Sequence, residues 1–260
     1  MEDSMGVNQD SISDRPSLEA LVETGQLKLE SLHPGGLVLT RELAELCNIR
    51  EGSRVLDVAS GTGETACFLA EQLGARVCGV EHSEEMIRRA EAKARAKALK
   101  VDFRKADAAE LPFDDAEFDA AICECTLCFL DKQRAIGEMM RVVRPGGCVG
   151  MHDLCWNHSV PDRMKRALAE IEGEQPETLE GWTRLFGRAG LAQIKAVDKS
   201  GLMAPWMRES RRQLGLSGQL ALAVRIVRRW GLPGAWKIAR SARVFTSERL
   251  GYCIVVGTKA

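Results

Sequence analysis

The residues from Val55 to Glu64 constrain the fold of this chain more than any other stretch. A short apolar run includes Asp57, and Gly61 and Gly63 follow before a helical pattern begins at Thr65. Glycine has no Cβ, so the backbone can turn sharply there and a ligand can approach its N–H groups. The N-terminus of the following helix directs partial positive charge at the same place. The stretch therefore predicts a nucleotide-type pocket at the carboxyl end of a first strand.

Strand and helix patterns alternate after this loop. A helix is predicted from Thr65 to Leu73 with Gly74 as its C-cap, and Ser83 is a plausible N-cap for the next helix. Buried strand patterns occupy residues 75–81, 101–106, 118–125 and 148–151, and helical patterns occupy 83–98 and 132–143. This alternation predicts an α/β fold in which a doubly wound parallel sheet is covered by helices on both faces.

Composition narrows the class of protein without identifying it. The chain has 260 residues, a net charge of −1, 45% hydrophobic residues and nine cysteines. An odd number of cysteines argues against a disulfide framework, and neither a signal-peptide pattern nor an apolar run of ~20 residues is found. These features predict a cytoplasmic protein with free thiols.

Four further features accompany the glycine loop. Gly61-Thr62-Gly63 with Ala66 fits the loose dinucleotide-binding pattern, which is a weak signal alone, and Glu81 ends the second strand, where a carboxylate can accept hydrogen bonds from ribose. Asp107 follows the third strand, ahead of Leu-Pro-Phe at 111–113. Arg-Pro-Gly-Gly at 144–147 precedes the fifth strand.

With these motifs in this order, residues 53 to about 155 resemble class I S-adenosylmethionine-dependent methyltransferases of the small-molecule type. The resemblance implies a Rossmann-like, seven-stranded sheet whose last strand, near 252–257, is antiparallel. It implies S-adenosylmethionine as cofactor, with Glu81 on the ribose, Asp107 on the adenine amino group, Met86 and Ala108 on the adenine ring, and Glu124 near the sulfonium. The cofactor-binding residues implied are Asp57, Ala59, Ser60, Gly61, Gly63, Glu81, His82, Met86, Asp107, Ala108 and Glu124. Met86 fits a core filler equally well, and Asp107 also fits a cap.

Thiols and imidazoles indicate where the molecule that accepts the methyl group could bind. Cys123, Cys125 and Cys128 form C-x-C-x-x-C at the tip of the fourth strand, and Cys155, His152 and His158 follow the fifth. Thiolates suit a sulfur, selenium or arsenic substrate, and residues 124–132 resemble arsenite methyltransferases around an arsenic-binding cysteine, onto which Cys125 falls. We name Cys125, Cys128, Cys155, His33 and His152 as candidate catalytic residues, with no metal required. Buried core cysteines are the competing interpretation.

Two segments flank or interrupt this domain. Residues 1–50 are predicted as an N-terminal helical cap, with helical patterns at 18–32 and 37–47 separated by His33-Pro34-Gly35-Gly36. Residues 51–260 form the methyltransferase-like domain, with a helical lid at about 205–249 that carries ten Lys or Arg and two acids. The lid could face an anionic substrate or a membrane surface, or be a solvated face, and it contains no nucleic-acid module.

The sequence leaves four candidate functions, three enzymatic and one a binding protein. The first is methyl transfer to a small molecule that presents a sulfur, selenium or arsenic atom. The second is C- or O-methylation of a quinone-like or lipid substrate. The third is a cofactor-binding protein without turnover, and an NAD-dependent dehydrogenase is a distant fourth.

Overall fold

The computed structural model describes residues 16–17, 20–21, 33–157 and 160–260. Most of the helix predicted at 18–32, the segment 1–15, and His158 lie outside the described residues.

The elements follow the predicted order. The helices are α1 (Gly36–Leu46), α2 (Glu64–Leu73), α3 (Glu84–Ala96), α4 (Lys132–Val142), α5 (Asp162–Ile171), α6 (Leu179–Arg188) and α7 (Met203–Phe245). The strands are β1 (Arg54–Val58), β2 (Arg76–Glu81), β3 (Asp102–Lys105), β4 (Phe118–Glu124), β5 (Val143–Trp156), β6 (Glu177–Thr178), β7 (Leu191–Asp198) and β8 (Leu250–Lys259).

The strands form one sheet in the order β3-β2-β1-β4-β5-β8-β7, and the two-residue β6 adds to β5. Strand β8 runs antiparallel to both β5 and β7, and the other pairings are parallel. The predicted doubly wound sheet with an antiparallel last strand is therefore confirmed. The strand order reverses between β1 and β4, and this reversal opens a crevice at the carboxyl ends of these strands.

Alternate residues of the central strands supply two apolar layers. Ile122 belongs to the layer that packs under α1 and α2, whereas Cys123 belongs to the layer under α4 and α6. Strand β5 is longer than the sequence predicts, because nine of its residues, from Cys148 to Trp156, pair with β8. His152 consequently lies inside the sheet and is completely buried.

The predicted helix caps are also present. Gly74 ends α2 with φ 64°, a left-handed conformation that glycine adopts without strain. The Ser83 hydroxyl accepts a hydrogen bond from the Met86 amide at 3.4 Å at the start of α3. The helical lid predicted at 205–249 falls within α7, which has non-helical backbone at Gly231, where Gly231-Leu232-Pro233-Gly234 predicts a break, and also at Gly215, where the sequence predicts none. No helix among the described residues has the length and apolar character needed to cross a bilayer.

Removing one helix cap tests this description of the fold. The Thr178 hydroxyl accepts a hydrogen bond from the Gly181 amide at 3.0 Å at the start of α6. Thr178→Ala is expected to lower the free energy of unfolding by about 1 kcal/mol in urea denaturation. Thr183→Ala is the control, because the Thr183 hydroxyl donates only to the Leu179 carbonyl of the same helix. Equal stability of the two variants would contradict the assigned cap.

Candidate active site

The glycine loop between β1 and α2 leaves one side open. Ala59, Gly61 and Gly63 all have left-handed backbone, with φ 59°, 51° and 72°. A Cβ at Gly63 would lie 2.8 Å from both the Ala90 Cβ and the Phe103 ring, so α3 and β3 require glycine there. A Cβ at Gly61 would meet nothing within 4 Å. Gly61 therefore faces space into which a ligand can enter.

Glu81, at the end of β2, organises this loop. Its carboxylate accepts hydrogen bonds from the backbone amides of Gly61 at 3.0 Å, His82 at 2.9 Å and Ser83 at 2.9 Å. The side chain of His82 itself is exposed. These bonds hold the acid beside the loop, at the position predicted for the ribose.

Asp57 and Ser60 place polar atoms under the loop. Asp57 is 2% exposed and Ser60 8%, and neither Asp57 Oδ2 nor Ser60 Oγ has a hydrogen-bond partner among the described residues. Burial, together with the charge of Glu124, raises the pKa of Asp57 well above its usual range. Buried polar atoms are normally paired, so these two fit a site that a polar ligand completes.

The predicted adenine contacts lie along the same edge of the sheet. Asp107 is exposed, and its carboxylate accepts a hydrogen bond from the Ala109 amide at 2.8 Å within a turn. No helix begins there, so the helix cap that the sequence left open is wrong. Met86 and Ala108 are half-buried. Their contact with an adenine ring stays a prediction.

Glu124, the last residue of β4, is the centre of a buried polar cluster. Its Oε2 accepts hydrogen bonds from the hydroxyls of Thr65 at 2.6 Å and Thr40 at 3.2 Å. The His152 Nε2 lies 3.0 Å from Oε1, and the His33 Nε2 lies 3.7 Å from Oε2. The cluster thus joins α1, α2, β4 and β5 at the crevice where the strand order reverses.

The side chains of this cluster differ in charge at neutral pH. Burial and the neighbouring His152 lower the pKa of His33 to about 4. Burial opposes ionisation of Glu124, but the charges of His152 and His33 and the hydrogen bond from Thr65 hold the pKa of Glu124 at about 2. At neutral pH the cluster therefore presents an ionised carboxylate beside an uncharged imidazole of His33.

The candidate cysteines do not share one environment. Cys125 packs against the layer under α1 and α2, and its thiol contacts the Tyr252 hydroxyl. Cys123, Cys128 and Cys155 belong to the layer on the other face of the sheet. Burial raises the pKa of the Cys125 and Cys128 thiols well above the usual range, so the thiolate form is disfavoured.

Three residues of the cluster were not predicted from the sequence. Thr40 and Thr65 bind Glu124, and the Tyr252 hydroxyl lies 2.7 Å from the His152 Nδ1. Tyr252 is the single tyrosine of the chain, and it lies in a strand whose other residues are mostly apolar. The presence of a single tyrosine in an apolar strand is the one sequence feature that could have indicated its polar role.

Comparison with known proteins agrees with the fold and the loop. Residues 55–147 match the family described as "Methyltransferase domain". An uncharacterized protein of Haemophilus influenzae is 32% identical over 172 residues, which cover 63% of this chain and 68% of that protein. The O-methyltransferase cnsE of Penicillium expansum is 34% identical over 175 residues, which cover 66% of this chain and 63% of that enzyme.

Two solved structures share the fold over almost the whole chain. The [4+2]-cyclase SpnF has a TM-score of 0.74 at 24% identity, with 94% of this chain and 93% of that chain covered. Phosphoethanolamine N-methyltransferase 2 of Haemonchus contortus, in complex with S-adenosyl-L-methionine, has a TM-score of 0.76 at 18% identity, covering 97% of this chain and 58% of that one. Residues 55–147 of this chain belong to the family of methyltransferase domains, and the chain is related to the Haemophilus influenzae protein beyond that region.

Proposed function

We propose that this protein binds S-adenosylmethionine and transfers its methyl group to a hydroxyl oxygen of a small organic molecule. The observation that carries the choice of oxygen is the Glu124 cluster, which offers a carboxylate and two imidazoles at the strand ends, whereas the raised pKa of the nearby Cys125 thiol disfavours its thiolate. The bound cofactor would supply an electrophilic methyl group.

The cofactor assignment rests on the loop and the acids around it. Gly61 leaves room for the cofactor, and Glu81 is fixed beside it to accept hydrogen bonds from ribose hydroxyls. Asp57 supplies a buried carboxylate oxygen that lacks a partner among the described residues, as expected for an acid that meets the cofactor's amino group. Asp107, Met86 and Ala108 would complete the adenine side.

A substrate hydroxyl fits the cluster, because its O–H must donate a hydrogen bond to a protein atom that orients the hydroxyl oxygen toward the methyl group. Glu124 and the two histidines provide acceptors in a largely desolvated place. The O-methyltransferase named among the relatives points the same way.

Two other functions stay open to test. A sulfur, selenium or arsenic acceptor would need Cys125, whose thiol is engaged by Tyr252. The fold also supports chemistry other than methyl transfer, as the cyclase among its structural neighbours illustrates.

Methyl incorporation from radiolabelled cofactor separates these functions. We expect label in one or more members of a panel of phenols, quinols and aliphatic alcohols, but not in thiols or arsenite. Cys125→Ser should keep the rate within about threefold, because serine preserves a hydrogen bond to Tyr252 and a neutral thiol takes no part. Cys78→Ser, in β2, is the matched control for loss of a buried thiol. Exclusive labelling of thiols or arsenite, lost in Cys125→Ser alone, would contradict the proposal.

A further inference from the structure

Two buried polar atoms face each other in the Glu124 cluster. Glu124 Oε1 and His152 Nε2 are 3.0 Å apart, and neither has another hydrogen-bond partner among the described residues. Both belong to nearly buried side chains, at 7% and 0% exposure. Buried polar groups are normally fully paired, so a cation bound by both atoms would stabilise the site.

The tautomers of the two histidines support the same conclusion. The His33 Nδ1 lies 3.3 Å from the Pro34 carbonyl, which can only accept, so in the neutral ring the proton is on Nδ1. The His152 Nδ1 lies 2.7 Å from the Tyr252 hydroxyl, which can accept in the same way. When both neutral rings carry the proton on Nδ1, each imidazole turns a lone pair on Nε2 toward the Glu124 carboxylate.

We propose that His33, Glu124 and His152 bind one divalent transition-metal ion. Their ligand atoms all lie within 4.8 Å of one another. The 3.0 Å between His152 Nε2 and Glu124 Oε1 is close to the roughly 3.4 Å expected between ligands that lie ~2.1 Å from a tetrahedral ion. Two imidazoles and one carboxylate suit Zn²⁺, Fe²⁺ or Co²⁺ and not Mg²⁺, which prefers oxygen ligands.

The surroundings resemble the outer sphere of a metal site. Metal-binding histidines usually donate their second N–H to a carbonyl or another fixed oxygen, as Pro34 and Tyr252 permit here. Thr40 and Thr65 fix the carboxylate through Oε2 and leave Oε1 for the ion. The His33 side chain is 13% exposed, so an ion can enter from its side.

Three protein ligands leave a coordination position for the acceptor oxygen, which would make its hydroxyl more acidic. This role rests on the proposed function, whereas binding of the ion does not. The metal site and the proposed function can therefore fail independently of each other.

Cobalt titration of the chelator-treated full chain tests the site. We expect one Co²⁺ per chain with a visible d–d absorption band, displaced by Zn²⁺. His33→Ala and Glu124→Gln should each raise the Kd for Co²⁺ at least about tenfold. His82→Ala, which removes an exposed imidazole outside the cluster, should leave the Kd unchanged. Thermal unfolding of each variant verifies that it is folded.

Three results would overturn the proposal: no stoichiometric binding, equal Kd values in all variants, or a thiolate-to-cobalt charge-transfer band that assigns the ion to the cysteines. Cobalt binding without label transfer to any hydroxyl acceptor would contradict the proposed function and support the metal site. Label transfer by a chain that binds no cobalt would support the proposed function and contradict the metal site.

Discussion

Glu124→Gln is expected to lower the rate of methyl transfer at least about 100-fold, which corresponds to ~2.7 kcal/mol of transition-state stabilisation. Glutamine keeps the volume of the side chain and an oxygen that can accept from Thr65 and Thr40. It removes the negative charge beside His152 and His33. Because charges at a desolvated reacting centre have large effects, the loss of rate should exceed any loss of cofactor affinity.

Glu117→Gln is the control for this change. Glu117 immediately precedes β4, whereas Glu124 ends it, and the Glu117 carboxylate pairs with Arg54 at 2.9 Å on a partly exposed surface. Such pairs contribute about 0–1 kcal/mol to stability, so this variant should retain full activity. Initial rates with radiolabelled cofactor and the best acceptor compare the two. A Glu124→Gln protein that is folded and within threefold of wild type would show that Glu124 has only a structural role.

Gly61→Ala should weaken binding of S-adenosylhomocysteine at least about tenfold while the protein remains folded. The new methyl group would contact no protein atom within 4 Å and would occupy the space assigned to the ligand. Alanine at the left-handed φ of 51° also adds a strain of roughly 1–2 kcal/mol. This strain lowers the free energy of unfolding and leaves the contacts with the ligand unchanged.

Gly52→Ala separates these two effects. Gly52 also has left-handed backbone, with φ 79°, and a Cβ there would meet nothing within 4 Å, but it lies before β1, at the other end of that strand. Both variants should lose similar unfolding free energy, and only Gly61→Ala should lose affinity in calorimetry. Equal affinities for both variants would place the ligand elsewhere.

The sequence predicted the features that depend on neighbouring residues. The strand–helix alternation, the glycine cap of α2, the serine cap of α3 and the antiparallel last strand are all present. These follow from local periodicity and turn chemistry, together with the family resemblance. Gly215 was missed because a single glycine is tolerated within a helical pattern.

The polar cluster could not be predicted because distant pairings assemble it. Glu124 stands opposite His152 only through the register of β4 on β5, and Tyr252 reaches His152 across 100 residues of sequence. The spacing of the cysteine motif predicts one cluster, because Cys123 and Cys125 would share a face in a continuous strand. The strand ends at Glu124, and Cys125 has left-handed backbone with φ 54°, so Cys125 packs in a different layer from Cys123 and Cys128.

Calorimetric titration with S-adenosylhomocysteine tests the central claim, that the crevice between β1 and β4 holds the cofactor. We expect one ligand per chain with a micromolar Kd, weakened at least about tenfold in Asp57→Ala, which removes the buried carboxylate beneath the loop, and unchanged in Gly52→Ala. A folded wild-type chain that releases no heat with either this ligand or S-adenosylmethionine, or that binds with equal affinity after the change at Asp57, would contradict the account.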